Sequence, residues 1–159
     1  MSELATMLER FRRGSELIAV VTTGVAGAEL DFHPNASHWS IRQIVCHLAD
    51  TEIVVADRFR RVIAEDEPQL IGFRQEAWAE KLDYGKRKIS QAVESFRRLR
   101  ADNYELIKDQ PEEAFQRAGL HSEHGRVTLL DLLRTYAEHV ESHARQIQRV
   151  RQEYKQSKA

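Results

Sequence analysis

A single cysteine, Cys46, stands in 159 residues, so no internal disulfide can staple the fold and no all-cysteine zinc site can form. Proline occurs 3 times and glycine 7 times, leaving few interruptions in a chain otherwise spaced for long helices. No run approaches the roughly 20 apolar residues of a membrane span. The opening Met-Ser-Glu-Leu-Ala-Thr carries Glu3 and lacks the basic-then-apolar pattern of a secretory leader, so the expected compartment is the cytoplasm. An excess of one charge is missing too: 24 Lys and Arg against 25 Asp and Glu give a formal charge of −1. Phosphate binding needs a basic face, and clusters such as Arg58-Phe59-Arg60-Arg61 are interrupted by Asp57, Glu65 and Asp66. Nucleic acid and membrane are therefore not the expected partners; a small molecule is. Hydrophobic residues at 42% suffice for one core, expected as a single domain over residues 1–159.

Apolar residues recur by threes and fours nearly everywhere. Leu4, Leu8, Phe11, Ile18, Val21 and Val25 mark a first amphipathic helix over about residues 2–27. Ser40 and Gln43 form a capping box that opens a second helix over about residues 40–65, carrying Ile41, Ile44, Leu48, Val55 and Phe59. A third, over about residues 86–109, stripes Ile89, Ala92, Phe96, Leu99 and Ile107. Thr128, with Asp131 three residues on, caps the last, which runs to about Tyr154. Residues 28–39, 66–84 and 117–127 read as loops, and no segment alternates convincingly as a strand. The expected fold is all-α, a four-helix bundle. Helices of this size are about 36 Å long, whereas residues 66–84 could extend over about 60 Å. That length favours a crossover, making the second and third helices parallel.

Seven histidines are the compositional oddity. The apolar stripe of the last helix, Leu129, Leu132, Leu133, Tyr136, Val140, Ile147 and Val150, passes through His139 and His143. Two imidazoles at i and i+4 have Cβ atoms about 6 Å apart, close enough to share one metal ion. His47 lies three residues after Ile44 and also faces the bundle, with Asp50 one turn later. If the second and last helices are neighbours, His47, His139 and His143 make a three-nitrogen site with one position open, as in catalytic zinc centres. Asp50 could then orient a ring by hydrogen bonding or act as a base. The competing reading is a set of core histidines, each needing partners of its own. Glu141 points about 200° round the helix from His139, as a solvated carboxylate rather than the base of a zinc-protease motif. Cys46 reads as a small buried residue, His121-Ser-Glu-His124 as a polar loop, and Trp39 as a hydrophobic staple before the Ser40 cap.

Trp39-Ser-Ile-Arg-Gln-Ile-Val-Cys-His47-Leu-Ala-Asp50, followed by His139-Val-Glu-Ser-His143-Ala-Arg-Gln-Ile147, resembles the DinB/YfiT-like superfamily of bacterial metal-dependent enzymes. Ala77-Trp78-Ala-Glu-Lys-Leu-Asp83 resembles its YfiT branch, and the likeness covers nearly the whole chain. The resemblance implies an up-down-down-up bundle, often a homodimer, with a three-His site at one end filled by zinc or nickel. It places His47, His139 and His143 at the ligand positions and Asp50 at a frequently acidic one. The activities it implies are thiol-dependent transfer, in which a low-molecular-weight thiol such as bacillithiol or mycothiol is added to an electrophile, and metal-assisted hydrolysis. The expectation is an enzyme of this kind, with thiol transfer ahead of hydrolysis. The alternative is a non-catalytic dimeric helical module that binds a metal or small ligand.

Overall fold

The computed structural model describes residues 2–159. Ser2 accepts from the Ala5 amide and opens α1, Glu3–Val21. This helix stops six residues before the expected end. Thr22 and Thr23 turn their hydroxyls back on the Ile18 and Ala19 carbonyls, and Gly24 then takes φ +76°. The capping boxes at Ser40 and Thr128 form as read: Ser40 and Gln43 open α2, Ile41–Ala64, while Thr128 and Asp131 open α5, Leu129–Ser157. Between these lie α3, Gln75–Lys81, inside the long connection, and α4, Ile89–Ile107. None of these helices is long and apolar enough to cross a membrane.

Cross-helix ion pairs give the directions. Glu3 meets Arg134 and Arg10 meets Glu141, so α1 and α5 run parallel. Asp50 meets Arg87, just before α4, and Glu52 meets Arg100, so α2 and α4 are parallel as well. Arg58 reaches Tyr136 while His47 reaches His139, which sets α2 antiparallel to α5. The bundle is therefore up-down-down-up, and the chain between α2 and α4 crosses its length. Glu141 is accordingly an inter-helix partner, bidentate on Arg10, rather than a solvated carboxylate.

Three short strands correct the reading of residues 66–84 and 117–127 as plain loops. β1, Gln69–Leu70, pairs parallel with β2, Ala118–His121; β2 pairs antiparallel with β3, Gly125–Thr128. Strands of two and four residues are too short to show an alternation. Gly119 makes the pairing possible, because a Cβ there would stand 2.7 Å from Leu70 Cδ1 and 3.0 Å from the Pro68 carbonyl. The sheet thereby ties the crossover to the start of α5.

The core divides around a charged centre. Arg100 and Glu52, each 1% exposed, form a bidentate pair at 2.9 and 2.8 Å, with Asn103 donating to Glu52 at 3.0 Å. Arg100 also donates to the Phe11 and Tyr136 carbonyls and lies 3.8 Å from the Phe11 ring centroid. Gly14 leaves room for it: a Cβ there would stand 2.8 Å from the guanidinium. Removing one partner strands the other in the core. Arg100→Met should lower the unfolding free energy in urea by about 3–5 kcal/mol. The double variant Glu52→Gln/Arg100→Met should lose clearly less, and equal losses would show that the stranded charge is not the cause.

Candidate metal centre

Antiparallel packing of α2 on α5 brings His47 against His139 and His143. His47 is buried and the other two are half-buried. Nε2 of His139 lies 3.2 Å from Nε2 of His47 and 3.2 Å from Nε2 of His143, and one ligand atom from each ring falls within 4.8 Å of the others. A tetrahedral zinc ion with bonds near 2.05 Å would space its nitrogens by about 3.3 Å. The donor set thus fits a single ion of that kind. Gln146 Oε1, 2.7 Å from His143 Nδ1, can only accept, so the proton of that ring sits on Nδ1 and its Nε2 lone pair faces the cluster. Thr51 Oγ1 stands 3.4 Å from His47 Nδ1.

Burial disfavours the imidazolium form throughout. Burial, aided by His143, holds His47 down to about 3; burial, aided by His143, His47 and Arg100, does the same to His139. His143 is also lowered by burial, with Gln146 opposing. All three rings are neutral at pH 7, the form that ligates.

Aromatic rings wall the cluster. Trp39 lies 5.1 Å from His47 between centroids, Phe73 lies 6.5 Å from it, and Tyr136 lies 6.3 Å from His139. Trp78 backs Phe73 at 4.6 Å. An open depression beside His143 is lined by Ser37, His38, Trp39, Gln75, Glu76 and Gln146. Sequence reasoning took Trp39 for a staple and missed Phe73, which sits in a connection with no periodicity. Gln146 had a usable signal, standing three residues after His143 on the same helix face.

Asp50 does not act as expected on a ring. Its oxygens take the Tyr84 hydroxyl and the Arg87 guanidinium, each at 2.8 Å, so it ties α2 to the approach of α4. Cys46 is fully buried, with its thiol pushed up chiefly by burial. His121, Glu123 and His124 do converge on the hairpin, within 4.8 Å of one another. There, however, the Glu123 amide donates to His121 Nδ1 at 3.0 Å, which puts the proton of the neutral ring on Nε2 and leaves neither nitrogen with a free lone pair. His33 and His38 bond within their own turn.

Residues 10–147 match the model of the DinB superfamily. A protein of Oceanobacillus iheyensis, "Putative metal-dependent hydrolase OB0782", is 26% identical over 115 residues, 72% of this chain and 66% of its own length. "Putative metal-dependent hydrolase YfiT" of Bacillus subtilis is 26% identical over 117 residues, 73% of this chain and 66% of its own. The matches therefore span just under two thirds of these relatives. The solved structure of YfiT, described as an unusual four-helix bundle topology, superposes with TM-score 0.87 at 21% identity, over 94% of this chain and 87% of that one. A mycothiol-dependent maleylpyruvate isomerase superposes with TM-score 0.72 at 18% identity, over 90% of this chain and 60% of that one.

The lowered imidazole pKa values set a pH dependence. An unfolded histidine binds its proton near pH 6.5, whereas buried His47 and His139 stay neutral down to about 3. Stability from this source is whole above pH 6.5 and is lost as pH falls from there toward 3, because the unfolded chain binds more protons. Metal-free protein should lose about 1–2 kcal/mol per ring between pH 7 and pH 5. The variant His47→Gln/His139→Gln, followed by urea denaturation at both pH values, should show a much flatter loss. An equal loss in both proteins would place the proton uptake elsewhere.

Proposed function

We propose, from the premise that this chain belongs to the DinB superfamily, that it is a metal-dependent enzyme whose ion is held by His47, His139 and His143. The observation that carries the reading is the convergence of three neutral imidazoles, with His47 and His143 each 3.2 Å from His139, beside an open depression. Zinc or nickel is the proposed ion, since imidazole nitrogen suits both. Bound there, such an ion would act as a Lewis acid, its remaining position bringing a thiol or water to its anionic form near pH 7.

The chain's own residues prepare that position. Gln146 holds His143 in the ligating tautomer, and helix packing holds His47 and His139 within reach of one ring nitrogen of each other. Trp39 and Phe73 exclude water from one side and offer flat apolar surface to a substrate. Thiol-dependent transfer is the favoured reaction, with a low-molecular-weight thiol as co-substrate. Its sulfur would bond to an electrophilic carbon, the leaving group would take the electron pair, and the thiol proton would pass to solvent. Asp50 is engaged by Tyr84 and Arg87 and so is not free to serve as a base at the rings. A thiol, which ionises more readily than water, depends less on such a base. The fold likeness to a mycothiol-dependent enzyme supports the same choice, while the names of the sequence relatives favour hydrolysis as the second reading. Homodimer assembly belongs to the proposal and is read by light scattering.

Elemental analysis of purified protein should find close to one zinc or nickel per chain, lost in His47→Ala and His143→Ala with helical circular dichroism retained. Turnover of an electrophilic dye should then require an added small thiol and vanish with the metal. Absence of metal after incubation with either ion would leave the non-catalytic module as the reading. A rate indifferent to thiol would leave hydrolysis.

A further inference from the structure

Among the described residues, five side chains of the Asp, Glu, Lys and Arg types are buried: Glu29, Asp50, Glu52, Arg58 and Arg100. Four are neutralised within the protein, Glu52 with Arg100, Asp50 by Arg87 and Glu29 by Arg151. Arg58 is the exception. It is 6% exposed, and among the described residues no carboxylate lies within 4.0 Å of its guanidinium. Its partners are uncharged: the Tyr136 hydroxyl at 2.5 Å and the Ile71 carbonyl at 2.9 Å. Glu123, which lies against Gly72 next in the chain, makes no ion pair with it. Desolvating a guanidinium is costly without an opposite charge, and the other four groups show how this fold meets that cost.

Both partners of Arg58 lead to the imidazole cluster. Tyr136 stands one turn before His139, with ring centroids 6.3 Å apart. The segment that begins at Ile71 reaches Phe73, whose ring lies 6.5 Å from that of His47. Because Arg58 donates to the Tyr136 oxygen, the phenol keeps its own hydrogen for a different acceptor. A guanidinium and a phenol together offer donors and no charge-bearing acceptor, a match for the two oxygens of a carboxylate.

We propose that Arg58 and the Tyr136 hydroxyl bind a carboxylate group of the substrate while the reacting end of the same molecule lies at the three imidazoles. The inference rests on the metal-centre reading above and narrows the substrate to organic acids. A cationic or purely apolar tail would leave the buried guanidinium without a counter-charge and is selected against.

The test uses zinc-loaded protein, with metal content measured before any ligand is added. Calorimetric titration compares propionate, which can engage the ion alone, with malonate, succinate and glutarate, which can span both points. At least one diacid should bind tenfold or more tighter than propionate. In Arg58→Gln that gain should fall below threefold with zinc content unchanged, and in Tyr136→Phe it should shrink by a smaller factor. Equal affinity for propionate and all three diacids in the wild-type protein overturns the proposal, as does a gain that survives in Arg58→Gln. Should Arg58→Gln fail to fold, the wild-type comparison decides alone. A wild-type chain that takes up no zinc overturns the metal-centre reading itself, and the prior metal assay tells that failure apart from equal affinities in loaded protein.

Discussion

One guanidinium group touches all four long helices. Arg100 on α4 pairs with Glu52 on α2, donates to the Phe11 carbonyl on α1, and donates to the Tyr136 carbonyl on α5. Its burial is supported by a full set of partners, since Asn103 completes the coordination of Glu52 and no buried side-chain polar atom among the described residues lacks a partner. An apolar core of the same volume would hold the helices together as well, or better. What a buried, directional pair adds is a single register of α2 against α4, because sliding either helix by one turn would strand a charge. The register of α2 against α5 is the one that matters for function. His47 comes from one of these helices, His139 and His143 from the other.

The imidazole cluster depends on that register in a second way. Each ring alone could be satisfied as a core histidine, but three ring nitrogens in 3.2 Å steps crowd acceptor sites together, and the Nε2 lone pair of His143 faces the other two rings. Burial keeps the rings from relieving this by protonation near neutral pH. A divalent cation removes the conflict and converts it into affinity, with Gln146 holding one ring in the required tautomer. The same low-dielectric surroundings make the uncompensated charge of Arg58, one α5 turn away through Tyr136, felt at the site. Ion and guanidinium together would give a strongly positive centre in a chain whose formal charge is −1. Attraction of anions there would be local to the site rather than a property of the surface.

The crossover serves the site as much as the topology. Its residues 69–70 join the hairpin that precedes α5, and the next few residues carry Phe73 to the imidazoles and the Ile71 carbonyl to Arg58. Gly119 is what allows β1 to approach β2, so a backbone accommodation in the sheet supports an aromatic wall in the site. Asp50 contributes from the other side by anchoring Tyr84 and Arg87 just before α4.

Periodicity and capping chemistry in the sequence were enough to determine the four long helices and the starts of two of them, because these are local: Ser40 with Gln43 and Thr128 with Asp131 act within one turn, whereas α4 has no side-chain cap and starts at Ile89, three residues past its expected start. The two histidines of α5 were legible for the same reason, being fixed by a four-residue spacing on one apolar stripe. His47 joined them only on the supposition that its helix was a neighbour. Tertiary structure decided what no local pattern encodes. Short strands pair residues some fifty positions apart, as Leu70 does with His121, and carry too few residues for an alternation. Glu141 left solvent for Arg10, Asp50 turned to Tyr84 rather than to a ring, and Arg58 was buried without a counter-charge. Each of these depends on which side chain of another helix happens to stand opposite, and that is set by packing, not by sequence neighbours.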